Sequence, residues 1–141
     1  MIGITRRGIL RAIGLGAPLG TAMLPGFRAR RDAPERTVLR EETTVAGIAY
    51  YDAERAVPTL GAGSELVLRR EPGNPYDPRA IEVLTADGTK LGYVWRVENE
   101  PLAAMMDAGV RLSGRVLHTH GTPGTRRDVS YRIEAELSVT A

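Results

Sequence analysis

Residues 70–83 read Arg-Glu-Pro-Gly-Asn-Pro-Tyr-Asp-Pro-Arg-Ala-Ile-Glu-Val, and this stretch decides how the rest of the chain is read. Pro72, Pro75 and Pro78 fix their own backbone torsions and push the residues before them out of the helical region. With Gly73 among them, the segment is a stiff turn and excludes a helix. Asn74, Tyr76 and Asp77 are displayed on that turn. A rigid turn that presents an aromatic ring and a carboxylate is a foundation for a binding site.

Strand signals lie on both sides of the turn. Residues 65–70 alternate, with Leu66 and Leu68 on one face and Val67 and Arg69 on the other. Residues 80–85 place Ile81 and Val83 together, and Asp87-Gly88 is a hairpin signal leading into a strand over residues 90–95. Upstream, residues 43–51 are rich in β-branched and aromatic residues and contain Gly47, which suits a bulge or a close backbone approach. A loop with Pro58, Gly61 and Gly63 follows. Downstream, Asn99 is expected to cap a short helix, with Glu100 and Pro101 in its first turn. Leu102, Met105 and Met106 share one face of it, and Gly109 suits its end. Residues 110–117 return to strand, and residues 121–124 form a loop. In residues 129–139, Val129, Tyr131, Ile133, Ala135, Leu137 and Val139 alternate with Ser130, Arg132, Glu134, Glu136 and Ser138, the pattern of a strand half buried and half wet.

The sum is a mainly β chain with minor α content: about six strands and one or two short helices over residues 43–141. Strands this short and this separated favour a small antiparallel β-barrel with a helix at one end. A parallel α/β fold would need a helix between each pair of strands.

The chain begins with a segment of different character. Thr5-Arg6-Arg7-Gly8-Ile9-Leu10-Arg11 resembles the twin-arginine (Tat) translocation consensus, and a weakly apolar, glycine-rich run interrupted by Pro18 and Pro25 follows it. Residues 1–31 are therefore expected to be an export signal, residues 32–42 a linker, and residues 43–141 the folded domain. The expected location is periplasmic or otherwise extracytoplasmic, with the Tat translocase as a partner and an anchored form if the leader is retained.

The leader changes the electrostatic reading. Six of the 19 basic residues precede Asp32 and none of the 17 acidic residues does, so residues 32–141 carry 13 against 17, a net of about −4 instead of +2. The basic isoelectric point belongs to the leader and says nothing about affinity of the domain for nucleic acid. Cysteine is absent, which excludes a disulfide framework and a thiolate metal site.

Four pieces share one order and spacing: Gly47 with Tyr50 and Tyr51, the pair Arg69 and Arg70, the turn from Asn74 to Asp77, and residues 91–96. Together they resemble the HIRAN family, in which a glycine and paired aromatics, an Arg-x-Pro-x-Asn-Pro-Tyr-Asp turn, an Ala-Ile strand and a Gly-Tyr-Val-like strand recur. The resemblance covers about residues 45–116. It implies an OB-like β-barrel which, in helicase-linked eukaryotic members, grips the free 3′ end of single-stranded DNA. On that resemblance, Tyr50 and Tyr51 match aromatics that stack on terminal bases, Tyr76 and Asp77 match the pair that recognises the 3′-hydroxyl, and Arg96 falls where a basic residue would meet a phosphate. Arg70, Asn74 and Tyr93 complete the implied ligand-binding set. Ala49 stands where DNA-binding members carry an arginine, and Tyr93 replaces a polar ring.

The chemistry is coherent by itself. Ring faces accept any base by stacking. A carboxylate accepts a hydrogen bond from a hydroxyl and repels a phosphate, so an acid in such a groove selects a free sugar end. Plainer roles stay open for the same residues. Adjacent tyrosines on a regular strand point to opposite faces, Asp77 can cap its own turn, and the single tryptophan, Trp95, is expected to pack. On the resemblance the expected ligand is a single-stranded nucleic-acid end or a related molecule; the alternative is an exported interaction domain that binds a peptide or envelope glycan.

Nothing reads as an enzyme. Ser64 and Ser130 lack a base and an orienting acid, and there is no Walker-type phosphate loop. His118 and His120 would share one strand face, but a metal would need a third ligand such as Glu134 or Glu136. Neither a metal nor a cofactor is expected.

Overall fold

The computed structural model describes residues 33–137. The twin-arginine segment, Ser138 and Val139 lie outside the described residues. Six strands form one antiparallel sheet: β1 (Glu35–Thr44), β2 (Glu65–Arg70), β3 (Ile81–Thr85), β4 (Lys90–Tyr93), β5 (Arg111–His120) and β6 (Asp128–Leu137). Helix α1 (Ala53–Ala56) is a single turn, and α2 (Arg96–Asp107) is the longer one. The strand order is β1-β6-β5-β2-β3-β4.

The sheet closes on itself. Just beyond β1, Ala46 pairs with Tyr93 at the end of β4, exchanging backbone hydrogen bonds of 2.8 and 3.0 Å. That contact joins the two outermost strands and turns the sheet into a small barrel. Gly92 makes the approach possible: a Cβ there would lie 2.2 Å from the Ala46 carbonyl oxygen and 2.7 Å from Val45 Cγ1. The barrel is filled by Leu66, Ile81, Val83, Leu91, Val116, Val129 and Ile133, all essentially inaccessible to water. Tyr131 shares that interior because Gly114 leaves room, a Cβ at Gly114 meeting its ring at 3.0 Å.

The alternation in β2 is as the sequence implies, with Leu66 and Leu68 buried and Val67 exposed. On β6 the inward face is Val129, Tyr131, Ile133 and Ala135, but the opposite face is only partly wet. Glu134 is buried there because Arg36 and Arg115 reach over it, at 3.5 and 3.6 Å. A buried carboxylate needs such partners.

Three expectations are corrected. Residues 32–42, read as a linker, contain most of β1, which pairs with β6 from Glu35↔Leu137 onward. Both faces of β1 are largely exposed, so it carries no apolar alternation; backbone pairing and the Arg36 ion pairs hold it. Residues 43–51 are not one strand: β1 stops at Thr44, Gly47 adopts φ +71°, and Ile48–Tyr50 is a 3-10 turn. Asn99 is not the helix cap. The helix starts at Arg96, and Pro101 lies inside it as the sixth residue, where it lacks the N–H that would bond the Val97 carbonyl.

Gly92→Ala is expected to lower stability by about 1 to 3 kcal/mol, because overpacking against backbone has no cheap relief. Gly73→Ala, where nothing lies within 4 Å of the added methyl, is the matched control and should shift it by less than about 0.5 kcal/mol. Thermal or denaturant unfolding of the two variants measures the difference.

Candidate functional site

The proline turn, residues 71–80, connects β2 to β3 and is internally braced. The Asn74 side-chain oxygen accepts from the backbone N–H groups of Tyr76 (2.9 Å) and Asp77 (3.1 Å). Its amide nitrogen donates to Glu71 Oε2 at 2.9 Å and to the Tyr93 hydroxyl oxygen at 3.3 Å. Asp77 Oδ1 accepts the Arg79 backbone N–H at 2.9 Å, and Oδ2 accepts from Asn99 Nδ2 at 2.7 Å. Asp77 therefore does cap its turn while its second oxygen is aimed at the start of α2, where Arg96 Nε lies 4.0 Å away.

Between this turn and the barrel closure lies a groove of about 460 Å³, lined by Ala46, Tyr51, Glu71, Asn74, Pro75, Tyr76, Asp77, Ala80, Tyr93, Val94, Trp95, Arg96 and Asn99. Of the residues singled out from sequence, it gathers Tyr51, Asn74, Tyr76, Asp77, Tyr93 and Arg96. Tyr50 and Arg70 are not among its walls. Tyr50 projects from the 3-10 turn, 87% exposed. Arg70 lies beneath the turn: its guanidinium donates to the carbonyls of Ala80 (2.8 Å) and Pro78 (3.0 Å) and pairs with Asp107 at 2.9 Å. It is a brace, because a planar fork of donors suits two carbonyls and a carboxylate at once.

The groove's aromatic wall rests on a buried-side cation. The Lys90 ammonium donates to the Tyr93 hydroxyl at 2.6 Å, pairs with Glu82 at 3.1 Å and sits 4.6 and 4.3 Å from the ring centres of Tyr51 and Tyr93. The two rings meet edge to face, 5.8 Å apart. Burial works against the Lys90 charge, but its bonds to Tyr93 and Glu82 outweigh that and its pKa is raised. Tyr93 in turn donates to Glu71 Oε2 at 2.6 Å. Burial, then that bond to a carboxylate, pushes the Tyr93 pKa up, so the phenol stays neutral.

Both groove carboxylates stay ionised. Hydrogen bonds from Asn74 and then Tyr93 hold Glu71 below the usual carboxylate range. The Arg79 backbone N–H is the largest influence holding Asp77 low, with Asn99 and the Arg96 charge adding to it against the cost of burial.

Sequence reasoning missed three contributors. Trp95, expected in the core, lines the groove at 41% exposure, its indole N–H tied to Thr44 Oγ1 at 3.1 Å. Its position directly before the helix start was the available signal. Glu71 and Asn99 carried none as site residues, since Glu71 is placed against Tyr93 and Asn99 against Asp77, each 22 residues away. Beside the histidine pair, His118 Nε2 lies 3.3 Å from Glu42, and among the described residues no group of three ligands is placed to hold a metal.

A small closed antiparallel barrel with an aromatic and acidic groove beside its closure defines a class of ligand-binding domain. The chain belongs to the HIRAN domain family, whose profile matches residues 40–140. A solved structural-genomics protein from Lactobacillus plantarum is similar at 34% identity, with 74% of this chain and 100% of that one covered and a TM-score of 0.66. The crystal structure of the HIRAN domain of human HLTF is similar at 24% identity over 67% of this chain and 74% of that one (TM-score 0.51). An NMR structure of the HLTF HIRAN domain in its DNA-bound conformation gives 22% identity, 72% and 80% coverage and the same TM-score. The last two likenesses are of fold. The Helicase-like transcription factor of Oryctolagus cuniculus is 35% identical over 63 residues, which is 45% of this chain and 6% of that protein.

The carboxylates give a pH expectation. Glu71 and Asp77 have folded pKa values below their unfolded ones, about 4. Their stabilisation is therefore complete above that value and is lost as the pH falls through the folded values. The unfolding temperature should be flat from pH 7 to about 5 and fall below about 4. Asn74→Ala should lower the neutral plateau and flatten the acid slope; an unchanged slope would contradict the assignment.

Proposed function

We propose that this domain is a non-catalytic module whose groove holds the free 3′ end of a single nucleic-acid strand. The observation that carries the reading is the placement of an ionised Asp77, fixed from two sides, in a groove with the rings of Tyr51, Tyr76 and Trp95 and with Arg96 at its rim. The family supports a nucleic-acid ligand, one relative's HIRAN domain having been solved in a DNA-bound conformation.

In this reading a terminal base lies on a ring face, which contributes about 1 to 3 kcal/mol whatever its identity. The 3′-hydroxyl donates to Asp77 Oδ2. Arg96, 77% exposed at its side chain, meets the phosphate that precedes the terminal sugar. A 3′-phosphate would bring negative charge against Asp77 and be rejected. No role in base contact is given to Ala49, and phosphate attraction is correspondingly weak for a domain whose net charge is about −4 by the count of residues 32–141.

Residues 1–31 are proposed to export the domain through the twin-arginine route, where the strand end it meets is extracytoplasmic. Replacing Arg6 and Arg7 by lysine should retain the chain in the cytoplasm; unchanged fractionation would remove that part of the reading.

Titration with single-stranded oligonucleotides ending in a 3′-hydroxyl or a 3′-phosphate tests the ligand. The hydroxyl end should bind tighter. Asp77→Asn should weaken it about tenfold or more, the scale of a charge-assisted hydrogen bond, and leave the phosphate end unchanged or tighter. Equal losses on both ends would overturn the role of Asp77. Binding to neither end would turn the search to envelope peptides and glycans.

A further inference from the structure

Glu71 occupies a position in the groove that end recognition does not use. Its backbone N–H is held by the Ala80 carbonyl at 2.9 Å, so the residue is fixed at the root of the turn. Carboxylate oxygen Oε2 accepts two hydrogen bonds, from Asn74 at 2.9 Å and from Tyr93 at 2.6 Å. Oxygen Oε1 has no hydrogen-bond partner among the described residues. The neighbouring cations are engaged elsewhere: Arg69 and Lys90 both pair with Glu82, at 2.8 and 3.1 Å. Glu71 thus presents a fixed, ionised acceptor to the groove, with no cation of its own.

Its surroundings define what such an acceptor would meet. Glu71 is bonded to Tyr93, whose ring packs on Tyr51, so the carboxylate borders the aromatic wall. A planar ring lying on that wall would bring its edge to Glu71. An ionised carboxylate only accepts, so it favours an edge that donates. Among bases, adenine, cytosine and guanine carry an exocyclic amino group, whereas thymine and uracil carry none and offer only a ring N3–H between two carbonyl oxygens; acidic side chains pair with the cytosine amino group.

We propose that Glu71 reads the terminal base through its free oxygen, so that the groove prefers a 3′-terminal base bearing an exocyclic amino group over thymine or uracil. This rests on the reading of the groove as a 3′-end site and adds base selectivity to it. Asp77 selects the sugar end, and Glu71 selects the base attached to it. Substitution gives the role a signature that bracing alone does not have. In Glu71→Gln the amide oxygen takes over the bonds from Asn74 and Tyr93, and the amide nitrogen becomes a donor facing the groove. The preference should then move toward thymine.

The experiment uses the full chain, with the fluorescence of its one tryptophan, Trp95, as readout. Hydroxyl-ended oligonucleotides identical except for a terminal dA, dC or dT are titrated. The expected result is binding of dA and dC about tenfold tighter than dT, the scale of one hydrogen bond to a charged group. Glu71→Gln should narrow or invert that ratio. A terminal N4,N4-dimethylcytosine, which has lost its amino protons, should bind the unaltered protein like dT, and this arm does not depend on a variant folding. Equal binding of all terminal bases, with hydroxyl ends still preferred over 3′-phosphate ends, would overturn base reading and leave end recognition intact. An equal effect of Glu71→Gln on every base would reduce Glu71 to a brace. Absence of binding to any hydroxyl end would overturn both readings.

Discussion

The pair of backbone hydrogen bonds between Ala46 and Tyr93 is the contact on which the rest depends. It is two bonds long, yet it joins strands at opposite ends of the sheet order and converts an open sheet into a closed barrel. Only a residue without a side chain can occupy position 92, because the Ala46 carbonyl lies where a Cβ would be. The same contact sets the site. It fixes the level of Tyr93, starts the reversal at Gly47 that carries Tyr51, and leaves Trp95 and Arg96 directly after β4 at the head of α2. The groove is thus a by-product of closure: its aromatic wall comes from the two segments that closure brings together, and the proline turn faces them.

The groove's charges follow a division of labour. Arg70 and Lys90 are cations turned to internal work, one bracing the turn and the other supporting two rings. Asp77 and Glu71 are anions kept ionised by neutral donors, chiefly a backbone N–H and an asparagine amide, and not by buried ion pairs. Neutral donors satisfy an oxygen without cancelling its charge, so both carboxylates keep their power to accept from a ligand. Arg96 remains as the exposed cation at the rim. On the proposed reading, such a site favours hydrogen-bond donors beside an aromatic ring and tolerates one phosphate at its edge.

Much of this was legible in the sequence because the signals were local. The prolines and Asn74 fix the turn through contacts two or three residues apart, Asp87-Gly88 gives the β3–β4 hairpin, and the alternation of β2 and β6 reads directly as inward and outward faces. The parts that were not legible are those decided at long range. β1 carries no period-two apolar pattern because its partner is the backbone of β6, nearly 100 residues away. The helix starts at Arg96, and the Asn99 side chain, expected to cap it, instead bonds Asp77, a contact across 22 residues that no capping rule contains. Arg70 and Tyr50 entered the ligand set by resemblance, but the guanidinium is consumed by Ala80, Pro78 and Asp107, and Tyr50, exposed on the 3-10 turn, is not among the groove's walls. Trp95 went to the core on the general habit of tryptophan, and the early start of α2 exposes it instead.

The central claim is that barrel closure and the proline turn build one ligand site from segments far apart in sequence. Mapping amide chemical shifts on titration with a hydroxyl-ended single strand tests it most directly. The account predicts that the perturbed resonances fall together on Ala46, Tyr51, Asn74, Tyr76, Asp77, Tyr93 and Arg96 and on the Trp95 indole, with the outer face at Glu42 and His118 unmoved. Perturbations confined to another surface, such as the loop carrying Arg126 and Arg127, would contradict it.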